Sequence, residues 1–135
     1  MGLDQYAYAV TPEVAPLALI TERELTDDET QKLEQGKVWI TQWRKHADLN
    51  KWMEDLYISK GGTDQFNCVP LIITRDDLLN LRMHLQENGN EYAERGQGFF
   101  WGETRHEDIL QDHNFIDRAL ALIDEGMEVI YYCWW

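Results

Sequence analysis

The residues here whose types and spacing could do chemistry together lie in one short run, Trp43-Arg44-Lys45-His46, followed by Asn50 and Trp52. Helical spacing puts Trp43, His46, Ala47 and Asn50 on one side, so a titratable imidazole and an amide sit beside large aromatics. Such a group suits a planar or anionic ligand. Trp43 and Trp52 would stack, Arg44 would bond in bidentate fashion, and His46 and Asn50 would hydrogen-bond. The competing reading is structural. Trp43 and Ala47 would be core, Arg44 and Lys45 would cover apolar surface with their stems, and His46 and Asn50 would be buried polar groups with partners. A concave, partly open pocket lined by Arg44, His46 and Asn50 would mark the first reading. Arg44 in bulk solvent and His46 in a closed core would mark the second.

Other chemistry has less support. His106 and His113 are seven apart on an expected helix, with Asp112 beside the second. Two imidazoles so placed could share a metal only with ligands from elsewhere, so solvated histidines are the better reading and no metal is expected. The single serine, Ser59, lacks the glycines of a nucleophile elbow. Gly61-Gly62 and Gly96-x-Gly98 lack the fixed spacing of a phosphate-binding or dinucleotide-binding loop. Neither a catalytic group nor a cofactor is therefore expected. Cys68 and Cys133 read as reduced core thiols, with a reactive or paired cysteine as the alternative.

The charge sets the surroundings of these residues. The 135 residues carry 25 Asp+Glu against 12 Lys+Arg, a net −13. A general nucleic-acid binder or a protein docking on anionic lipid needs the opposite balance. Residues 1–36 hold eight acids and two bases, 37–60 three acids and five bases, and 61–135 fourteen acids and five bases. One slightly basic segment, with three of the six tryptophans, thus lies between two acidic blocks. The N-terminal residues lack a basic, apolar leader, and no apolar run approaches the roughly 20 residues that span a bilayer, so a cytoplasmic protein is expected.

The elements that must position these groups follow from periodicity and punctuation. Strands are expected at Leu3–Ala9, Phe66–Ile73, Gly96–Gly102 (or a tight aromatic loop there) and Met127–Trp135. Pro70 makes the second an edge strand or a bulged one, and the last, apolar on both alternations, belongs in mid-sheet or under an oligomer partner. Residues 11–25 read as a loop. Thr26-Asp27-Asp28-Glu29 opens a short helix that ends at a left-handed Gly36. A helix spans Trp39–Tyr57 and stops at Lys60-Gly61-Gly62. Thr74 caps another through Leu78, Leu81 and Leu85, ending at Asn88-Gly89-Asn90. The last helix covers Glu107–Asp124, with Glu103, Glu107 and Asp108 as N-terminal acids, and ends at Gly126. The order β-α-α-β-α-β-α-β implies one α+β domain over residues 1–135, four short strands in one sheet with three or four helices mainly on one face.

Several of these residues also match a family pattern. They are Gly2-Leu3-Asp4-x-Tyr6, Trp43-Arg44-Lys45-His46-x-x-Leu49-x-x-Trp52-Met53 and Phe66-Asn67-Cys68 before Thr74-x-x-Asp77-Leu78. Gly98-Phe99-Phe100-x-Gly102 and Tyr131-Tyr132-x-Trp134-Trp135 complete the set. Over nearly its whole length the chain resembles a widespread group of small uncharacterised proteins of tailed bacteriophages, cyanophages included. Members often carry the label phosphoglycerate kinase. That label does not suit this chain, which is far shorter than such a two-domain enzyme and has no nucleotide-binding glycine loop. Many members have a second histidine where this chain has Asn50, which weakens any metal or acid–base role pairing His46 with that position.

Two function classes follow. The resemblance and the acidity together point to a non-enzymatic accessory protein that binds a host or phage protein in the infected cell. The alternative is a small anionic or planar ligand binder, or a minor enzyme, using a pocket beside the Trp43–Trp52 helix. The paired tryptophans at the end of the chain leave monomer and homodimer both open.

Overall fold

The computed structural model describes residues 2–94 and 104–135. Four strands, β1 (Asp4–Val10), β2 (Lys37–Arg44), β3 (Leu71–Ile73) and β4 (Glu128–Trp134), form one antiparallel sheet in the order β2-β1-β4-β3. The described helices are α1 (Ala15–Ala18), α2 (Asp27–Gln35), α3 (Ala47–Ser59), α4 (Arg75–Glu87) and α5 (His106–Asp124). The chain is α+β, as its periodicity predicts.

The core follows from the pleat. Ala7 and Ala9 of β1, Trp43 of β2, and Val129, Tyr131 and Cys133 of β4 turn to one face. There they meet Leu49 and Met53 of α3, Leu78, Leu81 and Leu85 of α4, and Ile109, Phe115, Ile116 and Ala119 of α5. On the other face Tyr8, Val10 and Ile130 are covered by Ala15 of α1 and Leu33 of α2. β4 is therefore interior and buried on both sides over Val129–Tyr131, while β3, preceded by Pro70, is an edge.

Punctuation residues act largely as their chemistry dictates. Thr26 and Thr74 each accept the backbone N–H three residues on, while Glu29 and Asp77 reach back to the cap N–H. Gly61 and Gly126 end α3 and α5 with φ of 93° and 91°. Gly36 differs from expectation: its φ is −98°, so no left-handed cap forms. A Cβ there would lie 2.6 Å from Val14 Cγ2, so glycine is required by close packing.

Three sequence-based boundaries need correction. Residues 37–44 are a strand, and the helix expected from Trp39 begins at Ala47. The i, i+4 spacing of Trp39, Trp43 and Ala47 imitated a helix, but Lys37–Arg44 is rich in β-branched and aromatic residues and pairs along all of β1. The strand expected over Phe66–Ile73 is confined to Leu71–Ile73. The loop expected over 11–25 contains α1 behind Pro16. The expected strand or loop at Gly96–Gly102, and Glu103, lie outside the described residues.

Candidate functional site

Where β2 ends, the chain turns sharply. Lys45 has φ +60°, a left-handed conformation unusual for a side-chain-bearing residue, and its N–H donates to Leu3 O at 2.7 Å. This turn carries His46 under the sheet as the N-cap of α3. Gln5 of β1 holds it there. Gln5 Oε1 accepts from His46 N–H at 2.9 Å, and Gln5 Nε2 donates to His46 O at 3.0 Å and to the Tyr131 hydroxyl at 2.8 Å. Tyr131 in turn donates to Asn50 Oδ1 at 2.8 Å.

The network converges on Asp112 of α5. Its Oδ1 accepts from Trp43 Nε1 at 2.9 Å, and its Oδ2 accepts from the Tyr92 hydroxyl at 2.7 Å and faces His46 Nε2 at 2.7 Å. The side chains of His46 and Asp112 are fully buried. Burial first, then the Asp112 charge, raises the Tyr92 phenol well above its ordinary range, and burial does the same to Tyr131. Both remain neutral donors. No buried side-chain nitrogen or oxygen among the described residues lacks a partner.

Thr104 gives this cluster the outline of a nucleophile–base–acid relay, because its Oγ1 lies 3.4 Å from His46 Nδ1. The hydroxyl, however, donates to Asp48 Oδ2 at 2.6 Å. Its proton is committed to a carboxylate, and the imidazole contact is longer than proton transfer requires. The arrangement ties Thr104 to the first turn of α3.

The five residues singled out in the sequence therefore part company. Trp43, His46 and Asn50 join the closed network, as in the structural reading. Arg44 lies on the opposite sheet face, because neighbouring strand residues alternate, and its exposed guanidinium is 3.7 Å from the Asp4 carboxylate. Arg44 is thus on the other side of the sheet from His46 and Asn50. Trp52 reaches a cleft. Its ring is 4.6 Å from that of His84 on α4, and both line a cleft of about 350 Å³ with Leu56, Tyr92 and Ala93.

Charged groups in this cleft are Asp48, Asp55, Glu94 and Lys51. Lys51 Nζ lies 2.9 Å from Asp55 Oδ1, and its ammonium is held above its ordinary range by Asp55 first, then by Glu54 and Glu94. Aromatic walls, three carboxylates and one ammonium paired with Asp55 give the cleft a net negative lining. Tyr92 joins this cleft to the buried network, lying against both His84 (5.9 Å) and His46 (5.6 Å).

Sequence reasoning missed Asp112, Tyr92, Gln5, Tyr131 and Thr104 as members of the network around His46. Asp112 had a signal. It falls between Ile109 and Ile116 on the buried stripe of α5, where a carboxylate needs donors. Among the described residues no group of three or more His, Cys, Asp or Glu could hold a metal ion, and no helix is long and apolar enough to cross a membrane. His113 Nε2 meets Asn90 Oδ1 at 3.1 Å, and Ser59 Oγ donates to Leu56 O. Cys68 and Cys133 are free thiols, and burial pushes that of Cys133 up to about 12. No protein-family model, curated protein or solved structure matches this chain.

Proposed function

We propose that this protein is a non-enzymatic acidic interaction protein whose cleft beside α3 receives a cationic side chain of a partner protein. The observation that carries the reading is the lining of that cleft: Trp52 and His84 with Asp48, Asp55 and Glu94. An arginine or methylated lysine would gain attraction from the indole face and from the carboxylates together. The buried His46–Asp112 pair supports a non-enzymatic role, since both Asp112 oxygens and His46 Nε2 are engaged by neighbours inside the protein. The phage resemblance makes a host or phage protein in the cytoplasm of the infected cell the natural partner class.

A second reading has its own support. The Trp52–His84 pair offers flat surface to a small planar ligand, although three carboxylates disfavour an anionic one. Titration with capped arginine, capped trimethyllysine and neutral capped citrulline, followed by the Trp52 indole and Ala93 amide resonances, separates the two. We expect the two cations to shift both resonances and citrulline to leave them still. The combination Asp55→Asn with Glu94→Gln should weaken the cations at least tenfold. Equal response to citrulline would favour the planar-ligand reading, and no response to any probe would remove the cleft from consideration.

A further inference from the structure

Among the described residues, the sheet face opposite the His46 network is only half covered. α1 and α2 lie over Tyr8, Val10 and Ile130. Beyond them an aromatic strip crosses three neighbouring strands. Trp39 of β2 packs edge-on against Tyr6 of β1 at 6.2 Å, Tyr6 pairs across the ladder with Tyr132 of β4, and Trp134 follows two residues on. Trp39 and Trp134 are 54% and 56% exposed. A β-bulge produces this strip. Between Ala7 and Tyr8 the pairing of β1 with β2 slips by one residue, so Thr41 faces Ala7 but Trp39 faces Tyr8. Trp39 and Trp43, an even number of residues apart, therefore emerge on opposite faces.

The strip ends beside a charge pair of both signs. Asp4 pairs with Trp134 on one side and with Arg44 on the other. Arg44 Nε is 3.7 Å from Asp4 Oδ1, and three-quarters of the Arg44 side chain is exposed, so its guanidinium keeps donors for a second carboxylate. Lys45 is exposed at the same corner.

We propose that this half-face is the contact surface of a symmetric homodimer, with Arg44 of each copy reaching Asp4 of the other across the aromatic strip. Two observations select a second copy over other occupants. The patch carries both members of a charge pair, so it is complementary to itself under a two-fold axis. Its Trp39, Arg44 and Lys45 also come from the one segment, residues 37–60, whose bases outnumber its acids in a chain of net −13. Two such chains repel least when they approach there. The surface lies across the sheet from the proposed cation cleft, so either assignment can fail alone.

Sedimentation velocity from micromolar to millimolar protein tests the proposal. We expect a concentration-dependent dimer that Trp39→Thr or Trp134→Thr weakens at least tenfold, with circular dichroism unchanged because both rings are outside the core. Arg44→Glu and Asp4→Lys should each abolish the dimer alone, and mixing the two variants should restore it as a heterodimer. A monomer at every concentration would overturn the proposal. So would a dimer indifferent to the tryptophan changes, or failure of the mixed variants to associate. Dissociation of the dimer by oligothymidylate, with quenching of Trp39, would reassign the strip to single-stranded nucleic acid.

Discussion

Asp112 is the side chain on which the interior depends most. It is fully buried, and three donors from three different segments, Trp43, His46 and Tyr92, end on its two oxygens. Removing one member of such a network costs more than its bonds contribute, because the remaining partners stay buried and unsatisfied. Asp112→Ala should therefore lower unfolding free energy by about 3–5 kcal/mol, read by urea denaturation. Asp112→Asn keeps an acceptor and should cost less, by at least 1 kcal/mol on the order of a typical net hydrogen bond. Equal losses for the two variants would show that the carboxylate itself, and not one retained acceptor, sets the cost. His46 illustrates why residue type alone misled. An imidazole next to tryptophan and arginine in sequence looks like a ligand group, but strand alternation sends Arg44 outward, while the left-handed Lys45 turns His46 inward.

At the scale of elements, a tight junction lies between α2, β2 and the α1 segment. Gly36 follows α2, and its carbonyl accepts from Thr11 N–H at 2.9 Å while Val14 crowds its Cα. Because its φ is −98°, alanine there meets no backbone penalty, only clashes with Val14 Cγ2 at 2.6 Å and Thr11 Oγ1 at 2.9 Å. Gly36→Ala should destabilise by about 1–3 kcal/mol, the range for overpacking, and Val14→Ala in the same chain should recover part of that loss. An unaltered thermal midpoint in the single variant would contradict the packing argument. The same elements show what was legible in sequence. Thr26, Thr74, Gly61 and Gly126 marked helix ends because caps act through local hydrogen bonds and backbone conformation. The α+β class, the interior β4 and the edge β3 were legible from apolar alternation and Pro70. β2 was not, since its bulge breaks strand periodicity where two tryptophans four apart imitate a helix. Of the five candidate residues Trp52 lines the described cleft, and its partners there, His84, Tyr92 and Glu94, come from distant segments that no spacing rule connects.

For the whole molecule, net charge should govern stability through ionic strength. The chain has 25 acids and 12 bases, so negative side chains outnumber positive ones by 13. Compact folding brings these charges together, and their mutual repulsion opposes it. Added salt has two opposite effects, because it screens that repulsion and weakens surface ion pairs such as Lys32–Asp28 and Arg105–Glu107. Exposed pairs contribute only about 0–1 kcal/mol each, and the long-range repulsion of an acidic surface is shared by many more pairs of charges. Repulsion should win. Raising sodium chloride from about 10 mM to about 0.1 M shortens the screening length from about 30 to about 10 Å, so the thermal midpoint at neutral pH should rise across that range. The scan belongs at low micromolar protein, where the proposed dimer is dissociated, and potassium chloride should reproduce the rise if it comes from screening. A falling midpoint would mean that ion pairs outweigh repulsion, and the acidic surface would then be better matched by its own bases than its composition implies.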